Sequence, residues 1–493
     1  MNTTIRNLLL GLALLPATAN AQQKYQPTWA SIDSRPVPAW FENAKFGIFI
    51  HWGVYSVPAW APKGVYSEWY QYWLQNRQVS GNNNPQKDMV YNYHKNRFGD
   101  NYSYYNFADQ FKAEDYDPAA WANVLQKSGA KYVVLTSKHH DGFALWPSKE
   151  ASKAFGRPWN AVDAAAKRDL LGDLTTAVKK TGVKMGYYYS LYEWYNPVYK
   201  AKDYNKYVDE HMFPQIKELV NNYKPDMIWT DGEWEQTDTT WKARDIIAWM
   251  YNESPVKDSI VINDRWGKGI RQKHGGFYTT EYEAGASFNR PWEECRGMGF
   301  SFGYNRNEDI EDYNSAQALV LLLVDVVSSG GNLLLDIGPD AHGKIPPIMQ
   351  ERLLQIGKWL SVNGEAIYDT RKWKQAAQWT SGDRTYKQKG GHMASGEYII
   401  KQTIDPDPGF AVKQAFFTTK GTTLYAIAPE MPEGKWLLRD VMPAANTTVT
   451  LLGSDKKIGW KKVKDGIELD VPRMTAKELP GDYAYTFKIT SAK

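Results

Sequence analysis

Short apolar runs alternate with longer segments of helical periodicity between Phe46 and about Pro339. Each apolar run has the length of a buried strand and ends in loop-forming residues, and the segments between them have the apolar spacing of an amphipathic helix. The pattern predicts strands at residues 46–51, 132–137, 185–190, 227–231, 261–265, 277–281, 300–304 and 333–338. It predicts helices at residues 119–128, 170–180, 206–222, 241–251 and 315–328.

This alternation of strands and helices indicates an α/β fold with a parallel sheet. About eight repeats favour a closed (β/α)8-like barrel over an open, doubly wound sheet, and no glycine-rich phosphate-binding sequence follows the first strand.

The pattern changes after about Lys374, where β-prone runs are separated by turn residues and no helical segments intervene. These runs lie at residues 397–402, 422–428, 447–452 and 483–489. They predict a C-terminal antiparallel β-sandwich. We therefore expect a catalytic domain at residues 22–372 and a sandwich domain at residues 373–493, in keeping with a chain too long for one core.

The first residues have the pattern of a secretory signal. Arg6 precedes an apolar run at residues 8–15, and Ala19 and Ala21 form an Ala-x-Ala cleavage pattern. We expect a cleaved signal peptide at residues 1–21 and a secreted or periplasmic location. No later run of about 20 apolar residues predicts a membrane anchor.

Composition narrows the possible partners. The formal net charge of +4 is too small to indicate binding to nucleic acid or to an acidic membrane surface. Aromatic residues make up 14% of the chain, and their flat apolar faces with polar edges suit sugars. The single cysteine, Cys295, excludes an internal disulfide, and without an adjoining histidine it favours a small buried side chain over a nucleophile. The sequence specifies no subunit number.

Candidate chemistry is concentrated at the predicted strand ends, where barrel enzymes carry their catalytic residues. Because strand side chains alternate, Trp229 and Asp231 should face the same side. The other strand ends carry His51, His139, His140, Arg265, Glu281 and the tyrosine run at residues 187–189. Each also has a structural interpretation: Asp231 as a helix cap, His51 as a core histidine, Arg265 as the ion-pair partner of Asp264, one of the paired histidines as structural, and the tyrosines as barrel packing.

Two carboxylates on different strands that face one cavity suggest glycoside hydrolysis, with one as nucleophile or base and the other as acid. A metal-dependent hydrolase is an alternative, in which His51, His139, His140 and Asp231 would surround the ion. A non-catalytic sugar-binding protein is a second alternative. We expect no metal and no cofactor.

Several motifs resemble α-L-fucosidases of glycoside hydrolase family 29, in the family's order, from about Pro38 to Tyr368. They are FGIFIHWG at 46–53, SEWY at 67–70, KHHDGF at 138–143, WTD at 229–231, NDRW at 263–266 and SFGYNR at 301–306. The resemblance implies a (β/α)8-like domain followed by a β-sandwich. It also implies cleavage of terminal α-L-fucose from an oligosaccharide or glycoconjugate, with retention, through a covalent fucosyl-enzyme.

The resemblance also implies roles for individual residues. Asp231 matches the nucleophile, and we place the acid/base on Glu281, with Glu293 as the main rival. The fucose pocket would be lined by His51, Glu68, Trp69, His139, His140, Tyr189, Trp229, Arg265 and Phe302. Tyr188 is the alternative to Tyr189, and the segment at residues 151–167 is longer than the family pattern needs.

Overall fold

The computed structural model describes residues 24–76, 85–283, 285–387 and 397–492. Eight parallel strands form one curled sheet, in the order β5-β4-β3-β2-β1-β8-β7-β6. They are β1 Phe46–Ile50, β2 Tyr132–Lys138, β3 Lys184–Ser190, β4 Met227–Asp231, β5 Val261–Ile262, β6 Tyr278–Glu281, β7 Trp292–Gly297 and β8 Asn332–Ile337. The two edge strands of this sheet, β5 and β6, also meet, because the amide of Phe277 donates to the carbonyl of Ile262 (3.1 Å). This contact closes the sheet and confirms the predicted (β/α)8-like barrel.

Helices precede, connect and follow these strands. They are α1 Trp29–Asp33, α2 Ala39–Ala44, α3 Tyr70–Gln75, α4 Pro85–Phe98, α5 Pro118–Lys127, α6 Lys149–Phe155, α7 Leu170–Lys180, α8 Pro197–Lys200, α9 Tyr204–Tyr207, α10 Phe213–Glu218, α11 Ala243–Asn252, α12 Ala316–Ser328, α13 Pro347–Asn363 and α14 Glu397–Lys401. Local sequence sets their starts: Asp117 caps α5 ahead of a first-turn proline, and Ser315 caps α12. The predicted helix at 206–222 is α9 and α10 joined and extended by π-helical turns.

Two predicted elements are wrong. The seventh strand is β7, not residues 300–304, which form a loop. β7 contains Glu293, Glu294 and Arg296, all of which are buried. Because charged residues are typical of the surface, the sequence pattern did not indicate a buried strand here. The predicted strand at 397–402 is instead the short helix α14. The fifth strand is also shorter than predicted, and residues 263–265 leave the sheet.

The C-terminal part contains two antiparallel sheets. Their strands are β9 Arg371–Trp379, β10 Lys413–Lys420, β11 Thr423–Ala428, β12 Gly434–Arg439, β13 Val449–Leu451, β14 Gly459–Val463, β15 Gly466–Val471 and β16 Tyr485–Ile489. The five-stranded sheet has the order β13-β16-β11-β10-β9, and β12-β15-β14 form the second sheet. Alternation along β10 sends Ala415 and Phe417 into the core between the two sheets, and Phe416 into the core between the barrel strands and their helices on the opposite face.

The predicted signal peptide at residues 1–21 lies outside the described residues. None of the described helices is both long and apolar enough to cross a bilayer. The segment at 151–167 contains most of α6 and then turns back to the barrel, where Ala144 and Asn160 form a bridge.

Candidate active site

A cavity of about 270 Å³ opens at the carboxyl ends of the barrel strands. Most of the predicted residues line it: His51, Glu68, Trp69, His139, Trp229, Asp231, Arg265, Glu281 and Phe302. Phe49, Tyr66, Tyr188, Trp234, Arg271 and Cys295 line it in addition. The strand-end pattern therefore predicted the position of the cavity and much of its wall.

Asp231 is the last residue of β4, and its side chain is 13% exposed. Oδ1 accepts a hydrogen bond from Nη1 of Arg265 (2.8 Å), and Oδ2 accepts one from the hydroxyl of Tyr188 (3.0 Å). Nε2 of His140 lies 3.6 Å from the same Oδ2. The carboxylate is thus held on one side by the protein and remains open to the cavity on the other.

Glu281 ends β6, and its side chain is 15% exposed. Oε2 accepts from Nη2 of Arg265 (3.1 Å), and Oε1 accepts from the hydroxyl of Tyr66 (2.6 Å). A single guanidinium therefore holds Asp231 and Glu281, which come from different strands, at the same cavity.

Arg265 is positioned by the chain as it leaves β5. Its carbonyl accepts from Oγ1 of Thr230 (2.7 Å), and Nε donates to Oγ1 of Thr279 (3.1 Å), so the residue is tied to β4 and β6. Its guanidinium lies 4.4 Å from the centre of the Trp229 ring, a cation–π contact. The predicted partner Asp264 instead accepts from the Gln272 amide and from Thr279.

Glu293, the rival acid/base, is buried in β7 and does not line the cavity. Oε1 accepts from Nε1 of Trp229 (2.8 Å), and Oε2 accepts from the hydroxyl of Tyr132. Burial raises the pKa of Glu293 to about 7. The structure thus places Glu293 behind the Trp229 ring and Glu281 at the cavity itself.

Burial disfavours the charged forms of the histidines at the cavity. Nδ1 of His51 pairs with Oδ1 of Asp336 (2.6 Å), and burial lowers the pKa of His51 to about 3. His139 lines the cavity, whereas His140 lies behind it, with Nδ1 2.5 Å from Oγ of Ser190, and burial lowers the pKa of His140 to about 4. A neutral imidazole can both donate and accept a hydrogen bond, which suits a sugar hydroxyl.

The prediction that Tyr189 lines the cavity is wrong, because β3 presents Tyr188 there instead. The Tyr189 hydroxyl donates to Oε1 of Gln215 (2.8 Å) on the outer face of the sheet, and the ammonium of Lys138 lies 4.0 Å from its ring.

The loop at residues 301–303 contains Phe302 and hydrogen-bonds Glu68. The Glu68 carboxylate accepts from Oγ of Ser301 (3.0 Å) and from the amide of Gly303 (2.8 Å), and burial raises the pKa of Glu68 to about 7. Phe302 stacks between Tyr66 (5.3 Å between ring centres) and His51 (4.9 Å). This loop, predicted as a strand, brings two distant motifs to one wall.

Sequence reasoning missed Phe49, Tyr66, Trp234 and Arg271. Tyr66 directly precedes the SEWY motif and could have been found from that position. Arg271, which pairs with Glu233 (3.2 Å), follows no strand end and gave no signal. Within the described ranges, no group of three His, Cys, Asp or Glu side chains is arranged to hold a metal ion.

Comparisons with known proteins identify the family of the chain. A family model described as alpha-L-fucosidase matches residues 12–365, and one for the alpha-L-fucosidase C-terminal domain matches residues 410–490. Tissue alpha-L-fucosidase of Homo sapiens is 39% identical, over 99% of this chain and 96% of that protein. Alpha-L-fucosidase of Dictyostelium discoideum is 38% identical, over 99% and 100%. The crystal structure of Thermotoga maritima alpha-fucosidase in complex with a mechanism-based inhibitor is 35% identical, with a TM-score of 0.74 over 94% of this chain and 100% of that one. The chain therefore belongs to the α-L-fucosidase family of glycoside hydrolases.

Proposed function

We propose that the chain is a retaining, exo-acting α-L-fucosidase that removes terminal α-L-fucose from oligosaccharides or glycoconjugates by double displacement. The observation that carries this proposal is the pair of carboxylates, Asp231 and Glu281, held on one guanidinium at one cavity. Retention requires the two carboxyl groups to lie about 5 to 5.5 Å apart, because the nucleophile attacks the sugar directly.

In the first step, a carboxylate oxygen of Asp231 bonds to the anomeric carbon while Glu281 gives its proton to the departing glycosidic oxygen. In the second step, Glu281 takes a proton from water, whose oxygen replaces Asp231 at the anomeric carbon and regenerates the free carboxylate. The negative charge passes from Asp231 to Glu281 in the first step and back to Asp231 in the second. Arg265 contacts both carboxyl groups, so it compensates the charge at either position without rearrangement.

The cavity supports a single terminal sugar. Its volume of about 270 Å³ lies just below the range of roughly 300 to 1,000 Å³ that holds larger ligands. Phe49, Trp229 and Phe302 supply apolar surface for a methyl group. The neutral imidazoles of His51 and His139 supply hydrogen bonds for hydroxyls.

Two measurements test the mechanism. Proton NMR of fresh product from an aryl α-fucoside should show the α anomer first, and the β anomer first would contradict retention. A fluorinated fucosyl inhibitor that forms a slowly hydrolysed covalent intermediate should label the peptide that contains Asp231. A label on any other peptide would contradict the assignment of the nucleophile.

The acid/base assignment is tested by a matched pair of variants. Glu281→Gln should lose activity on natural glycosides and regain turnover of activated aryl fucosides when azide is added, because azide needs no general base. Glu293→Gln makes the same chemical change behind Trp229, so it should show no azide rescue. The reverse result would move the acid/base to Glu293.

We further propose that residues 1–21 are a cleaved signal peptide that leads to a secreted or periplasmic protein, and that residues 22–372 and 373–493 are the two domains. N-terminal sequencing of the exported protein should begin near Gln22. An intact Met1 on the exported protein would contradict cleavage.

A further inference from the structure

A second cavity, of about 160 Å³, lies at the amino-terminal end of the barrel, opposite the catalytic cavity. Its walls come from the residues just before β1, β7 and β8 and from the start of β9, so it lies between the barrel and the C-terminal sheet. Its charged lining consists of four cations and one carboxylate: Lys45, Arg290, Arg371, Lys372 and Glu42.

Lys45 forms the buried base of this cavity. Its side chain has no exposed surface, and its Nζ has no hydrogen-bond partner within the described part of the chain. The backbone fixes this position, because Lys45 ends α2 in the left-handed conformation (φ 62°) and its carbonyl accepts from the Leu333 amide (2.9 Å). A buried ammonium without an acceptor is costly, which points to a ligand that supplies one.

The charges around Lys45 favour an anion. Burial and the nearby guanidinium of Arg371 lower the pKa of Lys45 to about 8, against the opposing effects of Glu42 and Asp369. The ammonium is still largely protonated at pH 7, and a bound anion would stabilise that charge.

The other cations surround the same space. Arg371 donates from Nη2 to Oδ1 of Asn43 (2.8 Å) and pairs through it with Glu42 (3.2 Å), and its Nη1 donates to the Thr370 carbonyl (2.9 Å). Its side chain is exposed at the rim of the cavity. Lys372 is also exposed, with Nζ 3.4 Å from the nearest carbonyl, that of Phe288. Arg290 donates to backbone carbonyls and contributes charge rather than a free donor.

We propose that this cavity binds one small oxyanion of the phosphate or sulfate class, with Lys45 at its base and Arg371 and Lys372 at its rim. The volume suits one such group and not a nucleotide. The oxyanion is either a free inorganic ion or a sulfate ester carried by a glycan, since both present the same acceptor oxygens. The site is independent of the fucose cavity and of the mechanism proposed for it.

The test is calorimetric titration of the full chain with sodium sulfate and sodium phosphate at constant ionic strength, with sodium chloride as the reference. The wild type should give saturable binding. Lys45→Met should weaken it at least tenfold, and Lys372→Gln severalfold. Lys435→Met, on the exposed surface of the C-terminal part, should bind like the wild type. Hydrolysis of an aryl fucoside should be unchanged in Lys45→Met.

Two further arms complete the test. Sulfate affinity should fall as the pH rises through about 8, because Lys45 then loses its proton. A monosaccharide sulfate that binds as well as inorganic sulfate would identify a glycan-borne ester, and binding of the inorganic ion alone would identify a free anion. No saturable binding by the wild type, or equal affinity in Lys45→Met, would overturn the proposal. If Lys45→Met does not fold, unchanged affinity in Lys372→Gln and Arg371→Gln would overturn it.

Discussion

At the scale of single residues, Arg265 organises the candidate catalytic cavity. Two carboxylates in a partly buried cavity repel each other, and a guanidinium between them turns that repulsion into two ion pairs. Arginine suits this position better than lysine, because its planar fork offers two separate nitrogens in fixed directions, whereas an ammonium is a single point of charge. The contact with Trp229 fixes the plane of the fork.

Glu293 gives a prediction about stability and pH. Its carboxyl holds a proton up to about pH 7 in the folded protein, whereas the unfolded chain releases it near pH 4.5. Between these values the folded state binds more protons, so this group's contribution to stability is complete below pH 4.5 and is lost as the pH rises to 7. At roughly 1.4 kcal/mol for each pH unit, the difference of about 2.5 units makes the loss about 3.5 kcal/mol.

Glu293→Gln should remove this loss, because glutamine mimics the protonated carboxyl and can still accept from Trp229 and hydrogen-bond Tyr132. Urea unfolding from pH 4.5 to 7.5 should show the variant gaining on the wild type as the pH rises. Glu433→Gln, the same change on an exposed residue, should follow the wild-type curve. Parallel curves for Glu293→Gln and the wild type would contradict the prediction.

At the scale of elements, β3 shows where a sequence pattern stops being informative. The alternation of side chains assigns residues to the two faces of a strand only when neighbouring residues differ in polarity. Residues 187–189 are all tyrosine, so the pattern does not say which of them face the cavity. The pairing of β3 with β4 is regular and places Tyr188 beside Trp229, which faces the cavity. The tyrosine that faces the cavity is therefore set by the register of β3 against β4, which the sequence of β3 alone does not specify.

The two tyrosines give a paired prediction. Tyr188→Phe removes a hydrogen bond to a carboxylate, worth about 1.5 to 3 kcal/mol, so kcat/KM should fall by roughly 10- to 100-fold. Tyr189→Phe removes a bond to the neutral side chain of Gln215, so it should lower the free energy of unfolding by about 1 kcal/mol and leave kcat/KM unchanged. Kinetics on an aryl fucoside and urea unfolding measure both effects. An equal loss of activity in the two variants would contradict the assignment of faces.

β7 is a fully buried strand with a charged sequence, so here the apolar pattern failed to predict a strand that the fold contains. Glu293 bonds to Trp229 and Tyr132, and Glu294 pairs with Nε of Arg296 (2.6 Å), so these charges find partners inside the protein. The apolar runs predicted the other strands because the charges there lie at or next to the strand ends, as Asp231 and Asp336 do, and leave the apolar run uninterrupted. Strand ends predicted Asp231, Arg265 and Glu281 for a physical reason, since parallel strands bring all their carboxyl ends to one face.

At the scale of the whole molecule, the barrel and the C-terminal sheet share a core. Nearly all residues of α12 are buried, and it contacts both the barrel strand β8 and the strands β9 and β10. Phe416, Tyr425 and Ile427 belong to the same apolar cluster as the outward-facing residues of the barrel strands and the helices packed on them. The proposed domain boundary near residue 372 falls at the start of β9. Residues on both sides of this boundary contribute to the same core.

A buried ion pair crosses this shared core and gives the last prediction. Nζ of Lys413 lies 2.6 Å from Oδ1 of Asp325, and both side chains are less than 10% exposed. Replacing one partner leaves an uncompensated buried charge, so Asp325→Leu or Lys413→Met should each cost about 3 to 5 kcal/mol. The double variant should lie closer to the wild type than either single one, because it buries no charge, although Asp325→Leu also removes an acceptor from Tyr398 (3.4 Å).

Urea unfolding should therefore give a double-mutant coupling of at least about 2 kcal/mol, and intrinsic fluorescence and far-ultraviolet circular dichroism should report one common transition. The common transition is expected because losing the contacts of α12 with β9 and β10 exposes apolar surface on both parts at once. Lys435→Met, which breaks an exposed pair with Asp470, provides a control that should cost less than about 1 kcal/mol. Additive single effects, or two separate transitions, would mean that the parts unfold independently and that the pair does not join them.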